Sequence, residues 1–191
     1  MRIGVLALQG AFIEHIEALQ RLKVEALPVC LPKELQGLDG LIIPGGESTT
    51  ISRLMVDFRL MQPVRDLAQA GLPIWGTCAG MILLAREVSD FRLETLGLMD
   101  IRVRRNAFGR QVDSFETEVK MPALGEQPLH AVFIRAPIIE KVNSKVEVLA
   151  KLSNGFAVAA RQGKQVAAAF HPELTDDLRF HRYFLDLVAS G

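Results

Sequence analysis

Neither sign of charge is in excess: 22 Lys and Arg are matched by 22 Asp and Glu, for a formal net charge of zero. A chain with no basic surplus lacks the electrostatic footprint of a nucleic-acid-binding surface. Cysteine is scarce. Cys30 and Cys78 stand alone without a spacing pattern, which excludes a disulfide framework and points to a reducing compartment. No apolar run approaches the roughly 20 residues of a membrane-spanning helix. The opening Met1-Arg2-Ile3-Gly4-Val5-Leu6 lacks the long apolar stretch and small-residue cleavage site of a signal peptide. It reads directly as a strand, and a cytoplasmic protein is expected. The acidic and histidine residues nowhere reach a metal-ligand spacing, so no metal is assigned. Repeats, linkers and low-complexity segments are missing too, which leaves one domain over residues 1–191.

What is present is apolar sequence in short, well-punctuated runs. Residues 3–8, 24–29, 41–43 and 72–75 read as strands, nearly continuous in hydrophobicity. Between them, Phe12, Ile16, Leu19 and Leu22 share one helical face, and Ile51, Leu54, Met55 and Phe58 another. Residues 63–70 are helical, and Ser48, Thr49 or Thr50 is placed to cap the helix that follows Pro44-Gly45-Gly46. Alternating strands and helices with apolar strands predict a parallel sheet covered on both faces. The texture changes after residue 90. Strands are expected over 98–104, 114–119, 129–134, 146–152, 156–161 and 165–170, with turns at Gly125-Glu126, Asn154-Gly155 and Gly163-Lys164. Asn-Gly is a hairpin signal, so this half adds antiparallel strands. A closing helix is expected over 176–188, with Leu178, Tyr183 or Phe184, Leu187 and Val188 inward.

Three polar loops follow strand ends, after residues 8, 43 and 75, where open α/β sheets bind ligands. In Trp75-Gly76-Thr77-Cys78-Ala79-Gly80 a cysteine sits between a strand end and a helix start. A sharp turn there projects the side chain outward, and the orphan N–H groups of the helix start favour a thiolate. The same stretch also reads as a buried cysteine in an ordinary connection. His171-Pro172-Glu173 follows another strand. A histidine takes a thiol proton and returns it to a leaving group, and a nearby carboxylate fixes its tautomer. Gly46 N–H and Ala79 N–H are placed to hold an oxyanion. The polar run Arg104-Arg105-Asn106-Ala107-Phe108-Gly109-Arg110-Gln111 offers a guanidinium for a substrate carboxylate, as does Arg135. His15, His130 and His181 have no identifiable partners; His15 and His181 read as helix-surface or packing residues, and Cys30 as a small core residue.

With these pieces assembled, the chain resembles the class I (triad) glutamine amidotransferases, and within them the glutaminase subunits of pyridoxal 5'-phosphate synthases. The resemblance runs nearly end to end. It is carried by Leu6-Ala7-Leu8-Gln9-Gly10, Glu14-His15, Pro44-Gly45-Gly46-Glu47-Ser48-Thr49-Thr50, Gly76-Thr77-Cys78-Ala79-Gly80, Arg105-Asn106-Ala107-Phe108-Gly109-Arg110-Gln111, Phe133-Ile134-Arg135-Ala136-Pro137 and Phe170-His171-Pro172-Glu173. It implies a three-layer α/β domain of the flavodoxin-like kind, with a largely parallel central sheet and antiparallel additions. It implies Cys78 as nucleophile, His171 as base and Glu173 as third member, with Gly46 and Ala79 forming the oxyanion hole. Gly46, Glu47 and Ser48 match the glutamine-binding loop, Arg105, Ile134 and Arg135 the other substrate contacts, and Gln9 a position near the partner interface. The implied activity is hydrolysis of L-glutamine without a cofactor, pyridoxal 5'-phosphate being the product of the complex. The implied partner is the synthase subunit, in a ring-built assembly of twelve plus twelve on whose docking activity depends. A free chain with an incomplete oxyanion hole is expected. The residues alone leave other readings open: a glutaminase serving a different synthase, a cysteine peptidase or glyoxalase-like relative of the same fold, or a non-catalytic regulatory subunit.

Overall fold

The computed structural model describes residues 1–89, 91–108 and 114–190. In the first half, strands β1 (Arg2–Leu6), β2 (Glu25–Val29), β3 (Gly40–Ile43) and β4 (Ile74–Thr77) alternate with helices α1 (Phe12–Arg21), α2 (Ser48–Asp57), α3 (Met61–Gln69) and α4 (Ala79–Leu84). The second half is strand-rich: β5 (Ala85–Val88), β6 (Met99–Arg104), β7 (Ser114–Val119), β8 (Leu129–Ile134), β9 (Ile138–Val142), β10 (Glu147–Lys151), β11 (Ala157–Gln162) and β12 (Gln165–Ala168), closed by α5 (Arg179–Ala189).

The main sheet has the order β2-β1-β3-β4-β12-β11-β9-β6-β5, with β10 paired to β11. From β2 through β12 all neighbours are parallel. The pairs from β12 to β6 are antiparallel, as is β10 with β11, and β5 lies parallel to β6. β7 and β8 form a separate antiparallel ribbon. Every residue of β3, β4 and β12 is buried, as strands covered on both faces must be.

The alternation along β4 divides the two faces. Trp75 packs against His15 of α1 and against Phe180, His181 and Phe184 of α5. Gly76 points the other way, to α4: a Cβ built on Gly76 would lie 2.4 Å from the Gly80 backbone, and one on Gly80 would lie 1.9 Å from Ile43 O. Two glycines therefore let α4 rest directly on β3 and β4. α2 packs on α4 in turn. The result is three layers with a mostly parallel sheet in the middle.

Four local features differ from the sequence expectation. β5, which follows α4 directly at Ala85, was not expected. β9 was not expected, because Pro137 and the charged Glu140 and Lys141 interrupt its apolar pattern. α5 starts at Arg179, whose N–H donates to Asp177 Oδ1 (3.0 Å), and its buried residues are Phe180, His181, Phe184 and Leu185. Of the expected face Phe184 is buried, while Leu178, Tyr183, Leu187 and Val188 are half-buried, because aromatic packing on Trp75 turns Phe180 and His181 inward. Cys30, expected in the core, is only half-buried, with Sγ 3.5 Å from Ala7 O.

Candidate active site

The parallel pairing of β12 with β4 brings the two ends of the chain's chemistry together. Ala168 is in register with Thr77, and Cys78 N–H donates to Ala168 O (2.7 Å). Cys78 is the residue between β4 and α4, at φ 48° and ψ −103°, a conformation that L side chains rarely adopt. Ala169 and Phe170, both fully buried, carry the chain on to His171, whose N–H donates to Val132 O (2.9 Å) of β8. A 3₁₀ turn over Pro172–Leu174 then returns Glu173 beside the ring. His171 Nδ1 lies 2.7 Å from Glu173 Oε1, and the ring lines the same cavity as Cys78, both side chains pressing on Gly45. With Nδ1 taken by the carboxylate, Nε2 is the nitrogen left for sulfur.

Electrostatics favour an imidazolium at this position. Burial opposes charge on His171, but the hydrogen bonds and charges of Cys78 and Glu173 prevail and raise its pKa to about 10. Burial likewise pushes the Glu173 carboxyl up, while His15 and the hydrogen bond and charge of His171 bring it below the ordinary value. The carboxylate thus stays ionised at neutral pH.

A cavity of about 270 Å³ opens over the cysteine. The loop after β1 contributes Gln9 and the loop after β3 contributes Gly46, Glu47 and Ser48. Cys78 and Ala79 come from the elbow, Arg105 follows β6, Ile134 ends β8 and Arg135 follows it. His171 completes the wall; Glu173 lies behind it. Every site residue expected from sequence is therefore brought to one place. Ile82 and Asn106 also line the cavity and were not anticipated. Gly109, Arg110 and Gln111 of the arginine-rich run lie outside the described residues.

The loops are fastened to one another. Glu47 N–H donates to Gln9 Oε1 (2.7 Å) and Ala11 N–H to Gly45 O (3.0 Å). Arg105 Nη1 reaches Ser48 Oγ at 3.4 Å, and its guanidinium stands 4.4 Å from the Phe91 ring centroid. Glu47 has a use beyond lining the cavity: its carboxylate caps α2, accepting the N–H groups of Thr49 (3.1 Å) and Thr50 (2.7 Å) and both hydroxyls. The cap is thus Glu47 and not Ser48, Thr49 or Thr50. Burial opposes ionisation here as well, but these four hydrogen bonds bring the Glu47 pKa to about 2. Gly45, next to the binding loop, is pressed against the site: a Cβ there would lie 2.3 Å from His171 Cε1 and 3.3 Å from Cys78 Cβ.

The histidines without expected partners all have them. His130 bridges Glu116 (2.8 Å) and Glu118 (3.2 Å) on the β7–β8 ribbon. His15 and His181 are fully buried directly behind Glu173. The spacing held a signal for His15, three residues after Phe12 and four before Leu19, hence on the apolar face of α1. Among the described residues no group of three or more His, Cys, Asp or Glu is arranged to hold a metal ion, and no helix is long and apolar enough to cross a membrane.

Comparison with known proteins agrees with this geometry. The profile of the SNO glutamine amidotransferase family matches residues 5–190. "Pyridoxal 5'-phosphate synthase subunit PdxT" of Herpetosiphon aurantiacus is 63% identical over 190 residues, covering 98% of this chain and 100% of the relative. The protein of the same name from Moorella thermoacetica is 58% identical over 188 residues, covering 98% and 100%. A solved glutamine amidotransferase superposes with a TM-score of 0.93 at 49% identity, over 98% of each chain. At 15% identity and a TM-score of 0.71, over 97% of each chain, the solved PurLQS of Thermotoga maritima shares the fold.

Proposed function

This chain belongs to the SNO glutamine amidotransferase family, and on that premise we propose that it hydrolyses L-glutamine to L-glutamate and ammonia at Cys78. The ammonia serves the synthase subunit of pyridoxal 5'-phosphate synthase, the complex for which its relatives are named. The observation that carries the reading is that Cys78 and His171 line one cavity, with the Glu173 carboxylate behind the ring, 2.7 Å from its Nδ1.

The steps follow from the protonation pattern. Cys78 Sγ, as thiolate, attacks the side-chain amide carbon of glutamine, and the carbonyl π electrons move to oxygen. The Gly46 and Ala79 N–H groups hold that oxyanion; loss of one such donor costs about 2.7–4 kcal/mol of transition-state stabilisation. His171, an imidazolium, gives its proton to the departing nitrogen as the C–N bond breaks, and ammonia leaves. The same ring, now neutral, takes a proton from water, whose oxygen attacks the thioester. Collapse of the second oxyanion breaks the C–S bond and releases glutamate. Glu173 stays ionised throughout and keeps the ring oriented. Arg105 and Arg135 supply guanidinium groups for the substrate α-carboxylate, and Gln9 lies where partner docking is read out. No cofactor takes part.

Ammonia released into bulk water would be protonated to non-nucleophilic ammonium, so the product needs a receiving protein close by. The assembly proposed is twelve glutaminases on twelve synthase subunits, checked by the mass of the complex in solution. Activity is tested by ammonia release with and without the synthase, and by reaction with a glutamine-mimicking diazoketone. Rapid alkylation at Cys78, and ammonia release that needs the synthase and vanishes in Cys78→Ala, are the expected results. Strong steady-state hydrolysis by the isolated chain would contradict the incomplete oxyanion hole. Failure of the diazoketone to react, even with the synthase present, would contradict the glutaminase itself.

A further inference from the structure

Behind Glu173 lies a row of buried polar groups that the hydrolysis just described does not use. His15 Nε2 is 3.3 Å from Glu173 Oε2 and 3.2 Å from Thr77 Oγ1. His15 Nδ1 is 3.1 Å from His181 Nε2. The Trp75 ring meets both imidazoles edge to face, with centroids 5.4 and 5.0 Å away, and so fixes their planes. The last atom of the row, His181 Nδ1, is buried with no hydrogen-bond partner among the described residues.

That orphan sets the protonation of the rest. An unpaired buried N–H is costly and rare, while a bare ring nitrogen is a milder loss. His181 therefore carries its proton on Nε2 and donates it to His15 Nδ1. His15 is kept neutral by burial and by His171, against Glu173 and Glu14, so its own proton sits on Nε2. There it faces Thr77 Oγ1 and Glu173 Oε2. His181 is neutral as well, through burial, His15 and Arg21. Every donor in the row thus points the same way, toward the carboxylate.

We propose that His15 is a positioning residue for this hydrolysis, on which reading the inference rests: held by His181 and Thr77, its Nε2–H restrains Glu173 Oε2 so that Oε1 stays aimed at His171 Nδ1. Oε2 has no aligned hydrogen bond among the described residues. The 3.3 Å approach of His15 is thus an electrostatic hold beside the hydrogen bond that the same nitrogen makes to Thr77 Oγ1.

The test compares His15→Gln with His15→Met in the full chain, assembled with the synthase subunit. The two side chains have nearly the same shape, but only glutamine places an N–H where imidazole Nε2 was. For His15→Met, kcat falls about 10- to 100-fold, the scale of removing an outer partner of a site residue. Its KM for glutamine stays within about twofold, as for a group that does not bind substrate. The basic limb of its pH–rate profile moves to lower pH, because a less firmly held carboxylate stabilises the imidazolium less. His15→Gln retains most of the rate and the original limb. In the wild-type chain, ¹⁵N shifts report the Nε2–H tautomer of His15. Equal kcat and equal pH profiles for the two variants would reduce His15 to a packing residue and overturn the proposal. So would an Nδ1–H tautomer, whether or not His15→Met folds. A wild-type complex that neither releases ammonia nor takes the diazoketone at Cys78 overturns the glutaminase reading first, and this inference with it.

Discussion

Gly45 illustrates how closely the groups proposed to react are packed. Nothing about its backbone forces glycine, yet a single methyl there would overlap His171 Cε1 at 2.3 Å. Gly45→Ala should push the imidazole off its line to sulfur, and a displacement of about 1 Å typically costs on the order of 100-fold in rate. Ammonia release with the synthase present measures the loss. His171 itself makes a pH prediction. Its pKa rises from 6.5 to about 10 on folding, so its contribution to stability is complete below the unfolded value and disappears as pH climbs through about 10. The melting temperature should decline between neutral pH and pH 10, and His171→Asn should flatten that decline. Cys78, His171 and Glu173 are legible in the sequence because each has a distinctive chemistry at a strand end. Gly45 is not, because its role depends on a ring contributed from more than a hundred residues away.

At the level of elements, α2 owes its start to Glu47. A glutamate is a less common cap than serine or threonine, so the usual preference points to the hydroxyls that follow it. The structure instead gives those hydroxyls and their N–H groups to the carboxylate. Glu47→Ala should cost about 1 kcal/mol, the scale of N-cap deletions, and lower the melting temperature by about 2–4 °C in a chain of this size. The cap's contribution is present above the ordinary carboxylate pKa and is lost as pH falls through about 2. Thermal melts of both proteins at pH 7 and in acid check the size and the sign. Other elements show the same limit. β9 escapes a reading of the sequence because its exposed charges break the pattern. α5 begins later than the pattern suggests because Asp177, which accepts the Arg179 N–H from before the helix, resembles a first-turn residue. The bounds of β7 and β8 are legible to the residue, while their pairing, from Ser114 opposite Ile134 to Val119 opposite Leu129, comes from the structure.

For the whole molecule, the parallel character of the first half follows from unbroken apolar strands. The insertion of β12 beside β4, by contrast, depends on long-range pairing that no local pattern records. That insertion makes the site a property of the complete chain, since neither the elbow nor the histidine turn is useful alone. It also holds Cys78 in place at a positive φ. Backbone held in such a region typically stores about 1–3 kcal/mol, while glycine in place of alanine ordinarily costs about 0.5–1 kcal/mol. The usual ranking of two inert replacements should therefore invert, with Cys78→Gly melting above Cys78→Ala. Calorimetry on the pair decides it, and equal or reversed melting points would mean that the turn is relaxed. A lineage selected only for endurance in heat would drift toward glycine at this position. On the proposed mechanism, the tension in that one peptide is kept for the sake of the sulfur.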